Sequence, residues 1–188
     1  MPPASREEAL VSVDIEASGP SPSTGSLLAI GACLVDDPET GFYVELRPIP
    51  GSRWDEAAER IHGLSRDHLQ ETGVEPAEAM HAFAEWLERV TEGRVPIFVA
   101  FNAPFDWMFV ADYFHRFLGR NPFGISGLDQ KAYFMAKHGV RRWSETTKRA
   151  VRRRYPTAMP HSHHALEDAR EQAELMRELL GHAASTET

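Results

Sequence analysis

The chain has a single cysteine, Cys33, so an internal disulfide is excluded and a reducing compartment suits it. Its unbroken apolar runs are short, as from Ile97 to Phe101, and no transmembrane helix fits. Met1 to Glu8 is acidic and contains proline, without the apolar region that a secretory signal needs behind it. A cytoplasmic protein with no membrane partner is therefore expected. Internal repeats and low-complexity linkers are also missing. So is an excess of positive charge: 20 Lys and Arg stand against 28 Asp and Glu, a net −8. That balance excludes a protein that coats nucleic acid by electrostatics alone. What is present is ordinary for a folded domain, with 42% apolar and 26% charged residues, which excludes disorder. A chain of 188 residues buries roughly 70% of its unfolded surface, and one domain is expected over 1–188, its core from about 9 to 180 and a flexible tail over 181–188.

The charge is unevenly spread. Residues 141–154 hold seven Arg or Lys and one Glu, a local +6 that leaves −14 for the remainder. Two readings stand: a solvated helix face, or a patch that tracks phosphates on an otherwise acidic molecule. An acidic chain that handles phosphates needs divalent cations to offset its carboxylates.

The first third reads as β. Ala9–Glu16, Leu27–Asp36 and Gly41–Pro48 are expected strands, and Gly19-Pro20-Ser21-Pro22 and Asp36-Asp37-Pro38 supply the turns. Connections this short imply an antiparallel meander. Helix and strand then alternate. Pro76 opens a helix whose stripe is Met80, Phe83, Ala84, Leu87 and Val90. Val95–Phe101 is a short apolar strand, and Pro104 starts a helix that is apolar nearly all round and hence buried. Ile125–Leu128 is a last short strand, and a final helix runs from about His164 to Leu180 on Leu166, Ala169, Ala173, Met176 and Leu180. The sum is an α/β fold, a mixed five-stranded sheet made of a three-strand meander and two further strands, flanked by helices.

Three short segments carry candidate chemistry. Asp14 and Glu16 end the first strand two residues apart, so both carboxylates leave one face, while Val11, Val13 and Ile15 take the other. Two anions in an apolar setting cost several kcal/mol unless a cation lies between them, and a hard divalent ion with oxygen ligands meets that need. At a frayed strand end in water the same pair means nothing. Asp106 follows Phe101-Asn102-Ala103-Pro104-Phe105, where a buried strand hands over to a buried helix. It can simply complement the helix dipole. It also sits where open α/β sheets place their sites, at the C-terminal end of a strand. Asp168 lies five residues after His163. Five residues turn a helix by about 140°, so the two cannot face one point from within it. His163 is expected from the loop before the helix and Asp168 from its second turn. His161, His163 and His164 also suit zinc by type, but Cys33 is remote and no second His or Cys cluster completes a tetrahedron.

In this order, Asp14-Ile15-Glu16, then Asn102 to Asp106, then His163 to Asp168 resemble the three motifs of the DEDDh-type 3′–5′ exonucleases. That group has a ribonuclease H-like fold and includes proofreading exonucleases, ribonuclease T and oligoribonuclease. The resemblance runs from Val11 to about Leu180. Ile61-His62-Gly63-Leu64 is similar to the segment near the terminal nucleotide in proofreading members, and Asp129 resembles a further recurrent acidic position to which no direct role is given. One departure concerns the residue after Glu16. The family often has a hydroxyl there, and this chain has Ala17 followed by Ser18-Gly19.

The resemblance implies two Mg²⁺ or Mn²⁺ ions bound by Asp14, Glu16, Asp106 and Asp168, a pairing suited to in-line displacement at phosphorus. It implies that His163 takes the proton of the attacking water as general base. The partner implied is the 3′ end of single-stranded DNA or RNA, hydrolysed to nucleoside 5′-monophosphates. Backbone groups at Ala17 and Ser18 are implied to meet the terminal sugar. His62 and Phe105 are candidates for stacking on the splayed terminal base, and both could equally be core residues. Trp54, Trp107 and Trp143 read as packing or surface aromatics. Many relatives are dimers, so a homodimer is an allowed partner. Two other functions stay open: a non-catalytic nucleic-acid-binding module on the same scaffold, and a hydrolase of very short oligonucleotides, which needs no extended groove.

Overall fold

The computed structural model describes residues 7–158 and 162–181. Five strands, β1 (Glu8–Ala17), β2 (Leu27–Leu34), β3 (Gly41–Glu45), β4 (Val95–Ala100) and β5 (Gly127–Asp129), form one sheet in the order β3-β2-β1-β4-β5. The short turns make β1–β2 and β2–β3 antiparallel, whereas β1–β4 and β4–β5, whose connections contain helices, are parallel. The expected meander and two further strands are all present.

Alternation along β1 divides the molecule into two layers. Val11, Val13 and Ile15 face a core shared with α3 (Pro76–Thr91) and α4 (Ala103–Tyr113), including Met80, Phe83, Leu87, Phe109 and Tyr113. Tyr113 also accepts Leu27 N–H on its hydroxyl at 2.9 Å, where the β1–β2 register slips between Glu16 and Ala17. On the other face, Cys33, Val35 and Val99 meet Ala169, Ala173 and Met176 of α7 (Ala165–Leu180). Cys33 is buried there, and that burial pushes its thiol pKa up to about 12, so it is not a reactive thiol.

Gly31 of β2 controls how close α7 comes. A Cβ at this position would lie 2.1 Å from the backbone carbonyl carbon of Ala165, so only glycine lets the helix start rest directly on the strand. Gly31 is also the register partner of Asp14 in β1.

Several boundaries differ from the sequence expectation. β3 stops at Glu45, and Leu46 instead makes a lone parallel bridge to Val74. Ile125 is 94% exposed and lies outside β5, which begins at Gly127 after a left-handed turn at Gly124. α7 begins at Ala165, so Asp168 stands in its first turn rather than its second. Four short helices carried no readable stripe: α1 (Glu56–His62), α2 (Arg66–Thr72), α5 (Gln130–His138) and α6 (Lys148–Arg152). α1 buries no residue and α2 only Leu69, so periodic burial could not reveal them; their signals are the capping Asp55 and Ser65.

Candidate active site

β1 and β4 stay paired only as far as Ser12 and Val99. Beyond that point β4 turns through Phe101 into α4, while β1 continues to Ala17. The parting opens a crevice at the C-terminal ends of two parallel strands, where sheets of this kind place their sites. Asp14 and Glu16 project into it on the α7 side, and Asp168 reaches them from the first turn of α7. One carboxylate oxygen from each of these three residues lies within 4.8 Å of the others. Asp106 arrives from the first turn of α4, and its Oδ1 accepts Ile15 N–H at 3.2 Å, a donor left without a strand partner by the departure of β4. Asp14, Glu16, Asp106, His163 and Asp168 all line one cavity of about 260 Å³, together with Phe101, Asn102, Phe105, Lys148 and Gln172.

The electrostatics of this cavity are unfavourable for the protein alone. Burial, then the charge of Asp168, pushes the Asp14 carboxyl up to about 7; Lys148 and the Gln172 hydrogen bond oppose the shift. Burial and the neighbouring Asp14 and Asp168 push Glu16 up to about 9. Asp106 is raised well above the ordinary carboxylate range by burial and by Asp14. Positive charge arriving among carboxylates this crowded draws off their protons at lower pH. Hard oxygen donors gathered within 4.8 Å therefore fit divalent cations such as Mg²⁺ or Mn²⁺.

The loop before α7 is fixed by the helix it precedes. Asp168 Oδ1 accepts Ser162 N–H at 2.8 Å, and Oδ2 accepts His163 N–H at 3.0 Å. These bonds hold His163 in a left-handed backbone conformation, φ 57°, that a non-glycine residue adopts only when its surroundings enforce it. The next residue, His164, stacks on Tyr43 of β3 with ring centroids 4.4 Å apart. His161 lies outside the described residues, and the three-residue acid cluster contains no histidine.

Three residues that the sequence did not single out complete the site. Gln172 donates from Nε2 to Asp14 Oδ1 and accepts Phe101 N–H on Oε1 at 2.8 Å, tying the two parted strands to α7. Glu171 is wholly buried beside it and ion-pairs with Lys148 at 2.7 Å and Arg152 at 2.8 Å. The readable signal was the spacing Asp168, Glu171, Gln172, a polar stripe on a helix whose other stripe is apolar. Part of the basic segment is thus anchored rather than merely solvated. Asp129 gains a structural role as well: its carboxylate accepts Ala103 N–H at 2.6 Å and Ala132 N–H at 2.7 Å, capping both α4 and α5.

The substrate-binding candidates are less gathered. Phe105 lines the acid cavity, half-buried against Phe109. His62 ends α1 near enough to His163 to feel its charge. Burial lowers the His62 pKa, with Glu59 opposing and His163 adding to the shift. Its Nδ1 accepts Leu64 N–H at 3.0 Å. Ala17 and Ser18 are buried at the end of β1, outside the lining of that cavity. The Ser18 hydroxyl is engaged within the protein, donating to Arg53 O at 2.7 Å and accepting Ser26 N–H at 2.8 Å. Trp107 packs edge-on against Phe98, while Trp143 is surface-exposed beneath Lys131.

Comparison with known proteins gives these features a context. Residues 11–176 match the RNase T family model, described as exonuclease. The chain is 43% identical over 173 residues to the 3′-5′ DNA exonuclease Cap18 of Escherichia coli, covering 91% of each. Its fold matches the nuclease domain of 3'hExo, a DEDDh family member solved with rAMP, at a TM-score of 0.74 and 11% identity over 95% of this chain and 94% of that one. It also matches E. coli Exonuclease I in complex with a dT13 oligonucleotide, at 0.69 and 15% identity over 93% of this chain and 42% of that one. The ribonuclease H-like architecture expected from the motifs is the one observed.

Proposed function

The chain belongs to the RNase T exonuclease family, and from that premise we propose that it is a metal-dependent 3′–5′ exonuclease of single-stranded DNA that releases nucleoside 5′-monophosphates. One observation carries the metal-dependent reading: Asp14, Glu16 and Asp168 bring carboxylate oxygens within 4.8 Å of one another, with Asp106 on the same cavity wall. The relative named as a DNA exonuclease supports the choice of DNA.

Asp14, Glu16, Asp106 and Asp168 would hold two divalent cations, Mg²⁺ or Mn²⁺. When bound, the cations supply Lewis acidity and neutralise charge on the reacting phosphate. The protein's own residues do the rest. Gln172 orients Asp14, as partners behind a metal ligand commonly do. Asp168 fixes the backbone of His163 and so aims its imidazole at the cavity, where it takes the proton of the attacking water as general base. Phe105 offers a ring for the terminal base, and His62, near enough to His163 to be influenced by it, is the second candidate for stacking on that base. At the end of β1, the backbone of Ala17 would be the group offered to the terminal sugar, since Ser18 N–H already bonds Ser26 O and Ser18 O accepts Asp55 N–H, each at 2.9 Å.

The test is degradation of 5′-labelled single-stranded DNA and RNA of one sequence, with Mg²⁺, Mn²⁺ or EDTA. A ladder that shortens from the 3′ end, faster on DNA and lost with EDTA or with Asp14→Ala, is expected. Metal-supplied protein that leaves both strands intact would overturn the reading, and a faster RNA ladder would overturn the choice of DNA.

A further inference from the structure

Next to the acid cavity lies a second one, about 470 Å³, lined by Lys148, Arg149, Arg152 and Arg153. Lys148 belongs to the walls of both, so the two cavities adjoin at its side chain. Behind this wall, Lys148 and Arg152 converge on Glu171, which has no exposed surface. A buried carboxylate between two cations adds little net stability, because desolvation offsets most of the attraction. Its effect is geometric: it holds two flexible cationic side chains against α7, three residues after Asp168. Val151, buried between them, keeps α6 seated. Arg149 and Arg153 stay exposed on the outer side. Two of the four cations thus meet the buried anion and two stay exposed, on a molecule whose net charge of −8 otherwise repels a polyanion.

We propose that Lys148, clamped by Glu171, binds the scissile phosphate, and that Arg149, Arg152 and Arg153 form a groove for the phosphates on its 5′ side. The proposal rests on the 3′–5′ exonuclease reading for the identity of the strand. Lys148 lines the acid cavity while paired with Glu171, so its charge stands beside a phosphate held there. All four lining residues belong to the same chain as the acid cavity. The groove also distinguishes the molecule from a hydrolase of very short oligonucleotides, which would gain nothing from cations beyond the first phosphate.

Two variants and two readouts test this. Binding of a 5′-fluorescein single-stranded DNA 20-mer is followed by anisotropy in EDTA across a salt series, and kcat and KM are measured with Mg²⁺ on the 20-mer and on a dinucleotide. The double variant R149Q/R153Q changes only exposed side chains. It is expected to weaken 20-mer binding about tenfold and to flatten the log–log salt slope by about 1.4, two phosphate contacts at 0.7 each. Its KM should rise on the 20-mer at constant kcat and stay unchanged on the dinucleotide. K148M should lower kcat/KM on both lengths. The groove is overturned if wild-type protein does not bind the 20-mer in EDTA, or if R149Q/R153Q binds and cleaves it as wild type does. The Lys148 assignment is overturned if K148M leaves the dinucleotide unaffected. Wild-type protein that binds through these arginines yet cleaves nothing would instead defeat the exonuclease reading and leave the groove intact.

Discussion

Asp14 and Glu16 tie stability to pH through the same burial that prepares them for cations. Their carboxyl pKa values rise from 3.8 to about 7 and from 4.5 to about 9 on folding without metal. The folded state therefore binds protons more tightly than the unfolded one. The stability this contributes is full below the unfolded values and is lost as pH climbs through about 7 and then about 9. In EDTA, the melting temperature should fall between about pH 5 and 9, and Mg²⁺ or Mn²⁺ should raise it more at pH 8 than at pH 6. A metal-induced rise that is flat with pH, read by scanning calorimetry, would contradict this. Gln172→Ala should cut kcat by about 10- to 100-fold and weaken metal binding while far-ultraviolet dichroism stays unchanged, because it removes the donor that orients Asp14 rather than a ligand. The four acids and the histidine were legible because each lies in a motif with a shape of its own. Gln172, Glu171 and Lys148 were not, since a polar residue on a helix reads as solvent-facing until the neighbouring layer is known.

At the scale of elements, the site depends on two helix starts. Asp129 caps α4 and α5 at once, so Asp129→Ala should cost about 2 kcal/mol, the upper end for a lost cap, in urea unfolding. The same change should lower kcat, because the first turn of α4 carries Asp106. Asp129→Asn, whose single amide oxygen can accept from only one of the two N–H groups, should recover about half of that loss. Gly31→Ala should cost about 3 kcal/mol or prevent folding, since the added methyl overlaps the backbone at Ala165. Strands β1, β2 and β4 and helices α3, α4 and α7 were readable from apolar periodicity, which marks elements with a buried stripe. α1, α2 and α6 bury at most one residue each, and their short capping signals were outweighed by the proline- and charge-rich sequence around them.

For the whole molecule, the distribution of charge matters more than its total. If a chain of net −8 engages a polyanion through one basic wall, as proposed, its activity should fall steeply as salt rises. Raising NaCl from about 50 to 200 mM should lower kcat/KM on a long strand by at least tenfold and on a dinucleotide far less. Equal losses on both lengths would mean that salt acts at the acid cavity instead. The sequence revealed the asymmetry of charge but left open whether it lay beside the acids, because that adjacency is set by Glu171 on α7 and by no local pattern.

The tie between Gln172 and Asp14 spans 158 positions of the chain. While the protein is being synthesised, the strand that bears Asp14 and Glu16 emerges first and the helix that bears Asp168, Glu171 and Gln172 emerges last among the described elements. Until that helix docks against Gly31, the early carboxylates have neither their third neighbour nor the amide that orients one of them. A nascent chain on a ribosome therefore carries an incomplete acid cluster until α7 has docked.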